Sequence, residues 1–229
     1  MKVLNICFAS LKSGAGIGTL SHHKILLESG ISSILLVSDP AESNPELSIY
    51  SYFDSRLTYL VYTRLNLILY SFLRWFLGLN NTPTMFSLLS FLPSSPIHKK
   101  FKPDIVHIHW LGGIFSDISV FNSWSVPIIW TVRDSFPFTG GCHVLFCCRD
   151  FENSCAKCAL GNKLLPHLTQ GLFTSKQRFF SNNHVHLLPL TRWMRSHIIN
   201  SQIIPKDRVL PSLFSTPDTV WFSFPNHQV

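Results

Sequence analysis

Charged residues are scarce in this chain of 229 residues: they make up 14% of the sequence, against 46% hydrophobic residues. This balance excludes an intrinsically disordered chain and indicates apolar surface beyond an ordinary core. Acidic residues are the scarcer sign, with 12 Asp and Glu against 19 Lys and Arg, so the formal charge is +7. A basic balance favours anionic partners, but no basic run typical of a nucleic-acid-binding arm is present. We therefore expect no nucleic-acid partner.

The first residues do not have the pattern of a secretory signal peptide. The apolar run over residues 3–9 is short, and the Gly-rich turn after it offers no small-residue cleavage site. We therefore expect a buried first strand. Five of the six cysteines cluster between Cys142 and Cys158, and Cys7 stands apart. Without a secretory signal, such clustering indicates a local metal site or thiol cluster more than a disulfide scaffold.

Apolar runs typical of buried strands alternate with helical patterns along the chain. Between the first two runs we predict a helix that ends at Gly30. The predicted face of this helix consists of Ile17, Leu20, Lys24 and Leu27. Alternation of this kind predicts βαβ units, and hence an α/β fold with a Rossmann-like doubly wound parallel sheet. The predicted strands cover residues 3–9, 33–38, 105–110, 127–132 and 184–190.

The segment 41–100 interrupts this alternation. Within it, residues 57–79 are strongly apolar and aromatic but include Arg64 and Arg74. Two arginines are costly inside the roughly 20 residues that cross a bilayer, so a transmembrane helix is the least favoured interpretation. The alternatives are a buried helix pair and a helix that lies in a membrane interface with its arginines toward the lipid head groups.

A glycine-rich loop, residues 14–18, lies between the first predicted strand and the first predicted helix. Gly14 and Gly16 allow close backbone approach, and a helix N-terminus offers free N–H groups to a phosphate or hydroxyl. Thr19 holds the place of the third glycine of the dinucleotide-binding pattern G-x-G-x-x-G, although Asp39 matches its acidic residue. The loop is either a ligand contact or a tight turn.

Polar residues end two of the predicted strands. His107 and His109 alternate on one strand and so point to the same face. Arg133 and Asp134 follow another strand, and ligands of parallel sheets bind outside the carboxyl ends of the strands. Arg133 is suited to clamp a phosphate or carboxylate, and Asp134 to accept a hydroxyl proton or orient the arginine. The alternative is that the two residues form a structural ion pair.

Four cysteines have the spacing C-x5-C-x6-C-x2-C: Cys142, Cys148, Cys155 and Cys158. The terminal C-x2-C is the turn that lets two thiolates bind one Zn²⁺, and a tetrahedral site needs two further ligands. His143 is suited to replace one of them. The spacing therefore predicts a structural zinc site, with a disulfide or packed reduced thiols as alternatives.

Residues 130–158 resemble the segment WTLHDMWPFTGGCHY, followed by further cysteines, of bacterial family-4 glycosyltransferases of the colanic-acid and exopolysaccharide type. Residues 103–110 are similar to the PDVVHLHW strand of that family, and residues 13–17 are similar to its GGAGIAA loop. Residues 188–210 resemble its VTPSRWLAE…VEVIPN stretch. The resemblance covers nearly the whole chain and is weakest over residues 41–100.

Members of this family are retaining glycosyltransferases with two Rossmann-like domains, the GT-B fold. The resemblance implies that this chain is the single N-terminal, acceptor-side domain, and that the donor-binding half is missing. It places Gly14 and Gly16 near the donor phosphates and the acceptor, and Asp134 at the aspartate of the family's His-Asp pair. Arg133 stands in place of the histidine. A guanidinium donates hydrogen bonds but cannot act as a neutral base.

The pattern and the resemblance together predict the site. Arg133 and Asp134 are the predicted catalytic residues. The predicted substrate-binding residues are Gly14, Gly16, His109, Gly140, Gly141 and His143. Two departures from the family are Val144 in place of tyrosine and the lack of Asn-Gly in residues 210–215, which lead toward the hinge.

The sequence predicts one Rossmann-like domain over residues 1–212, with a Cys-rich insertion at 135–165. Its last predicted unit is a helix over 192–200 followed by a short strand at 208–211. We expect residues 213–229 to be a truncated tail where a hinge and a second domain would follow.

The resemblance implies transfer of a hexose from a nucleotide sugar to a polysaccharide or lipid-linked acceptor, at the cytoplasmic face of the membrane. We expect a peripheral protein, with an anionic membrane surface as a further partner and no cofactor for catalysis. The chain alone is expected to be an incomplete, inactive fragment. The alternatives are a metal-stapled interaction module or truncated gene product without catalysis, and a dinucleotide-dependent enzyme that uses the glycine-rich loop.

Overall fold

One parallel sheet organises the chain. A computed structural model describes residues 1–79, 87, 92, 100–111, 117–122, 124–145, 147–182 and 184–213. Within them, six strands pair in the order β3-β2-β1-β4-β5-β6, and each pair of neighbours is parallel. The strands are β1 (Lys2–Cys7), β2 (Ser32–Val37), β3 (Ile49–Ser51), β4 (Ile105–Trp110), β5 (Ile128–Val132) and β6 (Val185–Pro189). This is the order of a Rossmann-like doubly wound sheet, and it confirms the predicted fold class.

The flanking helices of the described residues are α1 (Gly14–Glu28), α2 (Arg56–Phe76), α3 (Leu165–Asn182) and α4 (Arg192–Ser201). Local sequence accounts for the ends of α1, because the Ser13 side chain accepts a hydrogen bond from the Gly16 amide and Gly30 has a φ of +74°. Glycine adopts that left-handed conformation without steric cost. Thr191 caps α4 in the same way as Ser13 caps α1.

Each of the five predicted strands is present, but three details of the sequence prediction are wrong. The segment 41–100 contains β3, a strand of three residues that is too short to give a periodic signal. At 208–211 the chain makes an isolated bridge from Val209 to Leu187 instead of a strand. Helix α1 buries Gly16, Thr19 and His23, whereas Ile17 of the predicted apolar face is 58% exposed. Small and polar residues face the sheet here because polar side chains of the sheet lie beneath them.

Helix α2 is one continuous helix, which contradicts the buried helix pair, one of the two alternatives predicted for this segment. Ser55 begins it with a reciprocal capping box that involves Thr58. One side packs on the core through Tyr59 and Tyr62, while the opposite side leaves large apolar side chains in solvent. The exposed residues are Leu57, Leu60, Val61, Leu65, Leu67, Ile68, Phe72, Trp75 and Phe76. Across the described part of the chain, no helix has the length and hydropathy needed to span a bilayer.

Aromatic residues make up much of the core around β5 and the Cys-rich segment. The fully buried Trp130 of β5 lies edge-on to Phe180 of α3, with ring centroids 6.2 Å apart. Phe138 and Phe151, both in the Cys-rich segment, pack edge to face with ring centroids 5.7 Å apart, and both are buried in the main core cluster. Such pairs add roughly 0.5–1.5 kcal/mol to the free energy of area burial. The Cys-rich segment is therefore part of the domain core.

Gly16 and Gly14 provide a matched test of the glycine-rich loop. A Cβ at Gly16 would lie 2.0 Å from the Ser10 carbonyl oxygen, whereas one at Gly14 would meet nothing within 4 Å. We expect Gly16→Ala to lower the free energy of unfolding by about 2 kcal/mol or more, because backbone must move to admit the methyl group. Gly14→Ala should change it by less than about 0.5 kcal/mol. Urea unfolding measures both, and equal effects would contradict this account.

Candidate functional site

The carboxyl edge of the sheet brings the predicted site residues together. The strand order reverses between β1 and β4, and ligands of doubly wound sheets bind in the crevice outside that point. The loop after β1 leads into α1, β4 ends at Trp110, and β5 is followed by Arg133 and Asp134. The topology thus places the glycine-rich loop, the end of β4 and the Arg-Asp pair around one crevice.

Arg133 lies against helix α1. A Cβ built at Gly18 would be 3.1 Å from Nη1 of Arg133, so the glycine leaves room for the guanidinium. Nη2 donates to Nδ1 of His109 at 3.3 Å, and the buried Nε has no hydrogen-bond partner. Among the described residues, no carboxylate forms an ion pair with Arg133. The side chain is therefore a partly desolvated cation without a counter-ion in the part of the chain that the structure describes.

A line of buried polar side chains holds His109 in place beneath α1. His109 Nε2 lies 3.0 Å from Oδ1 of Asn5, and Asn5 Nδ2 donates to Oγ of Ser33 at 2.9 Å. Ser33 Oγ lies 2.7 Å from Nδ1 of His23, whose Nε2 lies 2.8 Å from the Leu47 carbonyl oxygen. This polar line, defined by these five residues, connects β4, β1, β2 and α1. Buried polar groups of this kind specify one arrangement because each needs its partner.

The imidazoles near Arg133 are held in their neutral form. Burial, with smaller contributions from His22 and Arg133, lowers the pKa of His107 to about 3. Burial also lowers the pKa of His109 and that of His22. The pKa of Arg133 itself is lowered by burial. At neutral pH the three imidazoles therefore offer lone pairs, and Arg133 is the one cation among these four side chains.

Asp134 faces away from Arg133, so the two do not form the structural ion pair considered from the sequence. Its Oδ2 accepts from Trp110 Nε1 at 2.9 Å and lies 2.7 Å from Nδ1 of His143. Its Oδ1 accepts from the Phe136 amide at 3.0 Å. With these partners engaged, Asp134 positions the end of β4 and the loop after β5.

His143 is buried in this arrangement. It stacks on Phe136, with ring centroids 5.1 Å apart and planes 10° apart, and its Nε2 lies 2.6 Å from Oγ of the buried Ser87. Ser87, His143 and Asp134 thus form a hydrogen-bonded series. Because Ser87 is 1% exposed, no substrate reaches its hydroxyl in this conformation, and the series serves to order the loop.

Gly140 and Gly141, also predicted to bind substrate, are buried against helix α3. A Cβ at Gly140 would lie 2.4 Å from the Thr169 carbonyl oxygen, so this position needs glycine for packing. Lys176 is buried nearby and donates to the carbonyl oxygens of Phe136 and Thr139. Burial lowers the pKa of Lys176 to about 7. These contacts attach the loop after β5 to α3.

The four cysteines of the predicted zinc site line one cavity of about 280 Å³ and form no disulfide. Burial raises the pKa of Cys142, and neighbouring Cys158, Cys155 and Cys148 raise it further. Burial also raises the pKa of Cys155 to about 12. Cys142 and Cys155 are therefore neutral thiols in the absence of a metal. Within the described residues, these cysteines do not bring three ligand atoms within 4.8 Å of one another, whereas three histidines do.

The structure places Arg133, His109, Gly14 and Gly16 around the crevice, and it places His143, Gly140 and Gly141 in the packed loop beside it. Sequence reasoning missed Asn5, Ser33, His22, His23 and Ser87. The adjacent histidines in a helix next to a glycine-rich loop were a usable signal. Asn5 in an apolar strand was another, since a buried amide requires partners.

Comparison with known proteins adds no family assignment. No protein-family model matches the chain, and no curated protein matches it either.

The neutral imidazoles predict a pH dependence of stability. The unfolded His107 takes up a proton below its ordinary pKa of 6.5, whereas the folded one resists protonation down to about 3. The unfolded state therefore binds more protons in this window, and the free energy of unfolding falls as the pH is lowered through it. The slope for one such group approaches about 1.4 kcal/mol per pH unit.

Urea unfolding between about pH 7 and pH 4 measures this effect. We expect His107→Gln to have a shallower slope than the parent chain, because it removes one neutral imidazole. His167→Gln, at an exposed position of α3, serves as the control. Equal slopes for the parent chain and His107→Gln would show that the buried ring does not cause the dependence.

Proposed function

We propose that this chain is the acceptor-side domain of a retaining, two-domain glycosyltransferase that moves a hexose from a nucleotide sugar to a polysaccharide or lipid-linked acceptor. The proposal is carried by the environment of Arg133. This partly buried cation lies against α1 and has no carboxylate partner among the described residues. A desolvated cation is costly unless an anion completes it. The resemblance of residues 130–158 to family-4 enzymes supports a sugar diphosphate as that anion.

In this proposal Arg133 stabilises the leaving diphosphate. Transfer breaks the bond between the anomeric carbon and the phosphate oxygen while the acceptor hydroxyl oxygen bonds to the same carbon. Negative charge develops on the leaving phosphate oxygen, which takes up the hydroxyl proton. A fixed guanidinium and the N-terminus of α1 oppose this charge in a site shielded from water. Asp134 acts through Trp110 and His143 and so is a positioning residue. A second domain supplies the remaining contacts to the nucleotide.

Pyrophosphate is the simplest probe of this site. We expect calorimetric titration to detect one pyrophosphate per chain, and Arg133→Gln to weaken its binding about tenfold or more, because a charge-assisted hydrogen bond is lost. Arg149→Gln is the matched control, because Arg149 is exposed and pairs with Glu152. Absence of pyrophosphate binding, or equal loss in both variants, would contradict the assignment.

A sugar-transfer assay tests whether a second domain is needed for catalysis. The chain of 229 residues should bind acceptor weakly and transfer no sugar from a nucleotide sugar, because the proposed donor contacts lie on another domain. Rapid sugar transfer by this chain alone would refute the proposal that it forms only the acceptor side of the active site.

We propose further that the outer face of α2 lies on an anionic membrane surface, which fits a lipid-linked acceptor. Its exposed apolar residues include Ile68, Phe72 and Trp75, and Arg64 is exposed on the same helix. A helix that is apolar on two faces is typical of burial in a second environment. At a lipid interface the apolar side chains enter the acyl boundary while arginine reaches the head groups.

Sedimentation with vesicles tests the membrane proposal. We expect binding to phosphatidylglycerol vesicles, weaker binding to phosphatidylcholine vesicles, and at least fivefold weaker binding by Trp75→Ser, since the buried apolar area drives insertion. Trp193→Ser is the control, because Trp193 is similarly exposed but lies on α4. Equal binding by both variants would argue against α2 as the contact.

The cysteine cavity favours a second candidate, a metal-stapled module without catalysis. Five cysteines, the four of the predicted zinc site and Cys147, line one cavity of about 280 Å³. Their thiols offer ligands to zinc once they are deprotonated. Zinc bound in stoichiometric amount by these cysteines, together with no binding of pyrophosphate, would favour this candidate over the transferase.

A further inference from the structure

A second group of potential ligands lies beneath helix α1, away from the cysteines. His107 and His109 of β4 point to the same side of the sheet, with ring centroids 3.9 Å apart. His22 of α1 lies over both, 5.0 Å from each ring. One nitrogen from each of the three rings lies within 4.8 Å of the others. His107 and His109 are buried, and His22 is partly exposed toward solvent.

The surrounding hydrogen bonds decide which nitrogen of His109 carries the proton. Asn5 donates from Nδ2 to Ser33 and to the Ile34 carbonyl oxygen, which turns its Oδ1 toward His109. Because Oδ1 only accepts, His109 Nε2 is the protonated nitrogen and Nδ1 keeps its lone pair. A metal-binding histidine needs this arrangement, in which the far nitrogen donates to a fixed oxygen.

His107 has a comparable outer partner. Its Nε2 lies 2.7 Å from Oγ1 of Thr131, which is able to accept a hydrogen bond from Nε2–H, so that Nδ1 keeps its lone pair. Metal binding needs a lone pair on each imidazole, and the hydrogen bonds made by Nε2 of His107 and His109 leave the Nδ1 atoms to provide it.

We propose that His22, His107 and His109 bind one divalent transition-metal ion of the zinc type, with His22 on the solvent side and a water molecule in the open position. Three imidazoles with one open position are a known ligand set for Zn²⁺, while Ca²⁺ and Mg²⁺ prefer oxygen ligands. Zn–N bonds of about 2.0–2.1 Å place the nitrogens about 3.3 Å apart, so modest side-chain rotation closes the site. This inference does not depend on the proposed transferase function.

Arg133 competes with this metal. Its Nη2 donates to the Nδ1 lone pair of His109 that the metal would use, and its charge repels a cation. Metal binding therefore requires the guanidinium to move from His109 toward the crevice. The site thus links occupancy by a metal to the position of the cation that we assign to anion binding.

Titration of the full chain with Co²⁺ tests the proposal, because histidine-bound cobalt shows weak visible bands and thiolate-bound cobalt adds strong near-ultraviolet absorption. We expect one cobalt ion without thiolate absorption in the double variant Cys148→Ser/Cys158→Ser. His22→Ala in that background should weaken cobalt binding at least tenfold. Arg133→Gln should strengthen it at least threefold, because the competing donor and charge are removed.

His167→Ala, at an exposed histidine of α3, is the matched control and should bind cobalt like its parent. Because His22 is partly exposed on α1, its variant keeps the buried polar line, and circular dichroism verifies that it folds. Cobalt binding that requires the cysteines, or that is unchanged by His22→Ala, would overturn the proposal. Absence of cobalt binding in the Arg133→Gln variant would overturn it too. None of these outcomes depends on pyrophosphate or sugar transfer.

Discussion

The orientation of the Asn5 amide determines how the crevice is built. This buried side chain lies in the central strand β1, where it donates toward Ser33 and accepts from His109. His109 in turn offers the lone pair that holds the Arg133 guanidinium. Leaving any one of these buried groups without a hydrogen-bond partner would cost about 1 kcal/mol or more of folding free energy. These hydrogen bonds run from Ser33 of β2 to Arg133 at the end of β5, and they hold the guanidinium in one position.

Much of the fold follows from apolar runs that alternate with helical patterns, because parallel strands buried on both faces have few polar residues. The prediction fails where tertiary contacts, and not the local hydrophobicity pattern, determine the structure. Strand β3 is too short for periodicity, and α1 faces the sheet with Gly16, Thr19 and His23 because Asn5 and Ser33 lie beneath it. A hydrophobicity pattern does not register a polar interface inside a core.

The site was predictable in part. Arg133, His109 and the glycine-rich loop are brought together because the carboxyl ends of β1, β4 and β5 meet at one edge. Because Asp134 follows Arg133 in the sequence, an ion pair between them was one expectation. The Asp134 carboxylate instead contacts His143 and Trp110, which the sequence order alone does not reveal. His107 and His109 follow His22 by 85 and 87 positions in the chain, so only the sheet topology brings the three rings together.

We propose that the Arg133 guanidinium is held to bind an anion at the N-terminus of α1. The most direct measurement is a pyrophosphate titration of ¹⁵N-labelled protein, followed at the Arg133 Nε–H and at the backbone amides of residues 14–18. We expect saturable chemical-shift changes at these groups, and slower solvent exchange of the Arg133 Nε proton because Nε gains a hydrogen-bond partner. Shifts confined to other basic residues, with Arg133 and the loop unchanged, would contradict it.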